Sequence, residues 1–205
     1  MTRLFWAGLT LLLTSLALGF AVSSGMVAGI DVPAFKAIAM TRAHSPDWGI
    51  AVAQVATRLG DPAIRSLYVI AALAMLAFRR RWQAALVYLV TVALAIAGHS
   101  VMKEAFARTR PHLVPWLDHA DTYAYPSGHA AGTMVVLLLA ALLLGGRRAV
   151  AAAVLLSLTI GVSRIALGMH WPSDVVGGWM FGAGAALIGY SLTHGSGTKA
   201  RPVNR

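Results

Sequence analysis

Apolar runs long enough to cross a lipid bilayer recur along this chain, separated by short polar breaks, and that alternation constrains the fold more than any other feature of the sequence. About 20 apolar residues span the hydrocarbon core as a helix, and within it only helices and closed barrels satisfy every backbone N–H and C=O. Five runs read clearly, at residues 4–24, 84–102, 129–145, 149–167 and 175–192. A sixth, 63–78, is short and carries Arg65 near its start, whose long side chain can snorkel to the interface while Arg79, Arg80 and Arg81 anchor the other end. Of 205 residues, 58% are hydrophobic and 12% charged, against about 25% charged in soluble domains. These numbers predict an all-α, polytopic membrane protein of six transmembrane helices.

Charge placement orients the expected bundle. Arg3, then Arg79 to Arg81, then Arg147 and Arg148, then Lys199, Arg201 and Arg205 occupy every other break, with no carboxylate among them. All seven carboxylates (Asp31, Asp47, Asp61, Glu104, Asp118, Asp121 and Asp174) fall in the alternate breaks, where lysines and arginines nearly balance them. This positive-inside pattern predicts both termini in the cytoplasm and the mixed-charge end outside. The small size and bare loops suit a bacterial inner membrane. A net charge of +10 split among short loops forms no continuous basic face, so no nucleic-acid partner is expected. The absence of cysteine excludes disulfides, thiol nucleophiles and cysteine-ligated metals.

The first run could be a cleaved signal peptide, but it exceeds the usual apolar region of about 7–15 residues and is expected to be a retained helix. Between the first two runs, 33–41 and 48–59 carry apolar residues at roughly helical spacing, as short amphipathic helices on the outer surface would, or as a simple connecting lid. A single membrane domain is expected over 1–195, with its motif core at about 84–193 and a disordered basic tail at 196–205.

Three segments at the mixed-charge end concentrate chemistry. Lys103 and Arg110 stand seven apart, within helical reach of one face if the third run continued that far; Pro111 disfavours helix at Arg110, so the helix is expected to end just before it. Taken alone, the pair could be two interfacial cations. In Tyr125-Pro126-Ser127-Gly128-His129, Ser127 is a natural N-cap and Gly128 allows close backbone approach, so the free N–H groups of the helix start can receive an oxyanion beside His129. A capped helix start without chemistry would read the same. In Ser163-Arg164 to His170 and Asp174, the Arg164 fork can hold phosphate oxygens, Pro172 suits a first helical turn, and Asp174 can accept the Nδ1 proton of His170. His170 and Asp174 could also be half of a metal site, but no His-Glu-x-x-His motif or acidic cluster supports one. His44, His99, His112, His119 and His194 carry no assigned role, and Gly177, Gly178, Gly182 and Gly184 suit close helix packing.

Together the segments Lys103-x6-Arg110-Pro111, Pro126-Ser127-Gly128-His129 and Ser163-Arg164-x5-His170-x3-Asp174 resemble, in order and without substitution, the three signature motifs of the type 2 phosphatidic acid phosphatase (PAP2) superfamily. The resemblance implies that His170 is the nucleophile, Asp174 its partner and His129 the general acid. It implies that Lys103, Arg110, Ser127, Gly128 and Arg164 cradle the phosphate. The expected activity is hydrolysis of a lipid phosphate or diphosphate through a phosphohistidine, with no metal or other cofactor. Candidate substrates by resemblance are phosphatidic acid, phosphatidylglycerol phosphate and undecaprenyl diphosphate. The bilayer and a lipid phosphate are the expected partners; the sequence leaves the oligomeric state open. Transfer of the phosphoryl group to an alcohol acceptor would use the same residues, and a transporter or non-catalytic scaffold is the alternative outside enzymes.

Overall fold

A computed structural model describes residues 3–194. It contains helices α1 (Arg3–Ser23), α2 (Ala28–Ile38), α3 (Asp47–Arg58), α4 (Pro62–Phe78), α5 (Trp82–Phe106), α6 (Gly128–Leu144), α7 (Arg147–Ala166) and α8 (Pro172–His194), and no strand among the described residues. Each expected apolar run lies in a helix. The tail expected at 196–205 lies outside the described residues. Among the described residues α1, α5, α7 and α8 are long and apolar enough to cross a membrane, and α3 with α4 is a fifth candidate if that pair, bent by 48°, is one span; α6 is shorter, at 17 residues.

α6 and α8 form the centre. α8 packs on α1, α5, α6 and α7, and α6 on α4, α5, α7 and α8. Nearly every position of α6 from Ala130 to Leu139 is buried, so this helix is apolar all round rather than along one stripe. Leu139, Val135 and Val136 meet Tyr88 and Val92 of α5 and Leu76 of α4 in the main core, and the Tyr88 hydroxyl donates to the Val136 carbonyl at 3.2 Å. Glycines allow the closest approaches: a Cβ on Gly184 would lie 2.7 Å from the Gly8 carbonyl oxygen of α1, and one on Gly178 would lie 2.7 Å from that of Ser127. The outer helices turn Leu13, Phe20, Leu67, Ile70, Phe78, Leu94 and Leu155 outward. Exposed apolar faces of this extent belong in lipid, and the chain is an integral membrane protein.

The two ends of the bundle differ in chemistry. At one end Arg79 and Arg81 donate to the Leu144 and Leu143 carbonyls that close α6, where helical C=O groups lack internal partners and cations are favoured. The opposite end holds α2, α3, the 107–127 loop and all three motifs. α2 starts earlier than the apolar spacing at 33–41 suggests and takes Pro33 inside; it is docked, with Phe35 fully buried and Asp31 nearly so. α5 ends at Phe106, short of the expected position before Arg110, because Ala107 turns left-handed at φ 41° and its N–H bonds the Lys103 carbonyl.

Candidate active site

Local backbone geometry aims the third motif. α7 closes with Gly168 at φ 79°, while the Met169 N–H reaches back to the Arg164 carbonyl at 2.9 Å, a left-handed stop that glycine adopts without strain. The reversal returns His170 toward the bundle, and Pro172 opens α8 without leaving an unpaired N–H. Asp174, at the third position of α8, accepts the Trp171 N–H at 2.8 Å, as the acid of a capping box does. Its same oxygen, Oδ2, lies 3.4 Å from Nδ1 of His170. Both residues are almost wholly buried.

Hydrogen-bond roles fix the His170 tautomer. Nε2 lies 3.1 Å from Nη1 of Arg110, and a guanidinium can only donate, so Nε2 is the bare nitrogen and Nδ1 carries the proton toward Asp174. Burial, and then the charges of Arg110, Arg164, Lys103 and His129, push His170 well below its ordinary value of 6.5. Arg110, buried beside Arg164, is lowered to about 10 and stays a cation at neutral pH. Its Nε donates to the Thr122 carbonyl at 2.8 Å, and Nη1 also donates to that of Met169 at 2.8 Å. Lys103 reaches the Tyr123 carbonyl, which Arg110 also approaches at 3.4 Å, so the two cations meet through the loop rather than along one helix face.

At the second motif, Ser127 holds the N-cap position of α6, but its hydroxyl caps nothing. Ser127 Oγ and Arg164 Nε are two of the three buried side-chain polar atoms without a hydrogen-bond partner among the described residues; Thr41 Oγ1 is the third. Arg164 spends Nη1 on Asp118 and on the Thr57 hydroxyl, the latter at 2.8 Å. The space a side chain at Gly128 would take is held by His99, whose Nε2 would lie 3.1 Å from the added Cβ, and by Lys103. Arg65 is held against α6: its Nη1 donates to the Gly128 carbonyl at 2.6 Å, and its guanidinium packs on Gly132. His129 Nε2 lies 3.0 Å from Asp61 Oδ1.

The structure thus brings Lys103, Arg110, Ser127, His129, Arg164, His170 and Asp174 to one end of the bundle, with the Gly128 carbonyl held by Arg65. Several neighbours escaped the sequence reading. Arg108 links Asp174 Oδ1, at 2.5 Å, to Asp31 Oδ2, at 2.7 Å, and lies over the Trp171 ring at 5.5 Å. Asp31 also accepts the Ser173 N–H at 2.9 Å, so α2 caps α8 from outside. The available signal was that all carboxylates share the motif-bearing breaks, leaving Asp31, Asp61 and Asp118 as the natural counter-charges. No group of three or more metal-ligating side chains occurs among the described residues.

A profile of the PAP2 superfamily matches residues 84–197. The chain is 28% identical over 183 residues to phosphatidylglycerophosphatase B of Bacillus subtilis, covering 84% of this chain and 88% of that protein. It is 26% identical over 123 residues to undecaprenyl-diphosphatase of Sulfolobus acidocaldarius, covering 58% of this chain and 59% of that one. The fold is shared with the crystal structure of the transmembrane PAP2-type phosphatidylglycerolphosphate phosphatase from Bacillus subtilis, with a TM-score of 0.84, 24% identity, and coverage of 95% of this chain and 99% of that one. With more than half of its length matched by the profile, the chain belongs to the PAP2 superfamily, as a membrane-embedded hydrolase of the phosphatase kind.

Proposed function

We propose that this protein hydrolyses a lipid phosphate monoester or diphosphate through a phosphohistidine on His170, with side-chain cations and N–H donors in place of a divalent ion. The observation that carries the proposal is the pairing of two arrangements at one end of the bundle. His170 has a bare Nε2 fixed by Arg110 and a protonated Nδ1 aimed at Asp174. Beside it, Ser127 Oγ and Arg164 Nε are buried donors without protein partners. A phosphate monoester brings about two negative charges, which Lys103, Arg110 and Arg164 would meet together with the N–H groups opening α6. In the first step Nε2 attacks phosphorus, the bond to the lipid oxygen breaks, and His129 gives that oxygen a proton. In the second, water attacks phosphorus, gives its proton to His129, and the P–N bond breaks.

The positive-inside distribution favours a bundle of six spans with α4 and α6 as the short ones, both termini in the cytoplasm and the site facing outward, within one domain over 1–195. That places the cradle at headgroup depth, with the acyl or prenyl chain among the helices. Phosphatidic acid, phosphatidylglycerol phosphate and undecaprenyl diphosphate are the substrate candidates, the last two in keeping with the named relatives.

The test is phosphate release from these three lipids by purified protein in detergent with chelator present. Release that persists in chelator, and falls at least about 10³-fold in His170→Ala, is the expected outcome. Undiminished release by His170→Ala would end the proposal.

A further inference from the structure

Asp61 sits in the break between α3 and α4, outside the residues that the family profile matches. It holds the N-cap position of α4, with φ −62° and ψ 148°, yet its side chain makes no capping hydrogen bond. An aspartate at this position ordinarily accepts an N–H of the first turn. Here the carboxylate turns away from its own helix, and Oδ1 lies 3.0 Å from Nε2 of His129. The approach depends on Gly60, because a Cβ there would lie 2.8 Å from Cδ2 of the same imidazole.

We propose that Asp61 is the positioning residue of His129, forming a second aspartate–histidine pair that presents the opposite ring nitrogen to the substrate. This rests on the reading of His129 as the proton donor to the leaving group. An ionised carboxylate only accepts, so Asp61 takes the Nε2–H and leaves Nδ1, which has no hydrogen-bond partner among the described residues, to carry the transferred proton. At His170 the order is reversed: Nδ1 faces Asp174, and Nε2 is the reacting atom. Two histidines of one site are thereby given unlike tasks by unlike anchoring.

The surrounding charge makes a counter-ion necessary for the proposed role. The groups bearing on His129 and Asp61 are Arg58 of α3, Arg65 of α4, Arg110 and Asp118 of the 107–127 loop, and Arg164 of α7. Four of these five are cations, and Asp118 is engaged by Arg164. A protonated imidazole there needs a counter-charge in direct contact, and Asp61 supplies it. As phosphorus–oxygen cleavage proceeds, the Nδ1 proton passes to the leaving oxygen and the imidazole becomes neutral, while Asp61 keeps the Nε2–H in place. The proton returns from the attacking water, so no further reactant is required.

The discriminating variant is Asp61→Asn, which keeps size and an acceptor oxygen but removes the charge. On an alkyl substrate such as short-chain phosphatidate, kcat/KM is expected to fall about 10²-fold, and the alkaline limb of its pH profile to move down by about one unit. With p-nitrophenyl phosphate, whose phenolate leaves without protonation, the loss is expected to stay within about 3-fold. Asp61→Glu should regain part of the alkyl-ester activity, and Asp61→Ser, which preserves N-cap preference, should repeat the pH shift even if the asparagine variant folds poorly. An unmoved alkaline limb, or equal loss on both esters, overturns the assignment while His170→Ala remains inactive. Full activity of His170→Ala would instead overturn the underlying site reading.

Discussion

His170 lies at the convergence of burial and positive charge, and its titration carries two consequences. Held well below 6.5, it remains neutral through mildly acid conditions, as the proposed nucleophile requires. If phosphoryl transfer limits kcat/KM, the acid limb of that profile falls below the range near 6.5 where an ordinary histidine titrates. Stability follows the same shift with a definite sign. The unfolded chain takes up a proton near 6.5 and the folded one does not, so the stabilisation is complete above that pH and is lost as pH falls toward the folded value. Thermal unfolding of the parent and of His170→Gln at pH 7.5 and 5.5 checks this: acidification should lower the parent midpoint relative to that of the variant, and no relative change would contradict it. The residue types of the cradle were legible in the sequence, but their partners were not. Arg164 meets Thr57 across a separation of 107 residues and Arg108 meets Asp31 across 77, distances over which spacing says nothing about contact.

Among the elements, α2 departs furthest from expectation. A surface amphipathic helix would contribute little to the site, whereas α2 sends Asp31 to the first turn of α8 and Phe35 against Trp171, with ring centroids 5.3 Å apart. Asp31→Ala would strand the Ser173 N–H and half of the Arg108 fork, a loss of buried, charge-assisted hydrogen bonds expected to cost about 2–4 kcal/mol. Because Arg108 also holds Asp174, the variant should lose kcat more than substrate affinity. A thermal melt paired with kinetics checks both, and unchanged values would reduce α2 to a tether. The helix itself was recognisable from apolar spacing. Its docking was not, because a buried aspartate reads as a surface residue until the capped N–H groups of another helix are seen.

Over the whole molecule, the bundle separates two chemistries by its length. One end is arginine-rich and holds the carbonyls closing α6; the other holds the three motifs with Asp31, Asp61, Asp118 and Asp174 paired among them. The proposed orientation predicts that a cysteine replacing Ala43, exposed at the motif end, reacts with an impermeant thiol reagent from outside intact cells, and that one replacing Gly146, exposed at the arginine end, reacts only after permeabilisation. The parent chain has no cysteine, so each label reports a single position. The reverse pattern would place the site on the cytoplasmic face.

The helical, membrane-embedded class and the residue types available for phosphate chemistry could be read along the chain, because run length against bilayer thickness and motif spacing need no knowledge of contacts. The tertiary structure decided which charges neutralise one another. Asp31, Asp61 and Asp118 acquire their partners only when α2, the α3–α4 break and the 107–127 loop close over α6, α7 and α8. Such pairing follows from proximity in space, since electrostatic contacts form between whatever charges packing brings together, however distant in the chain.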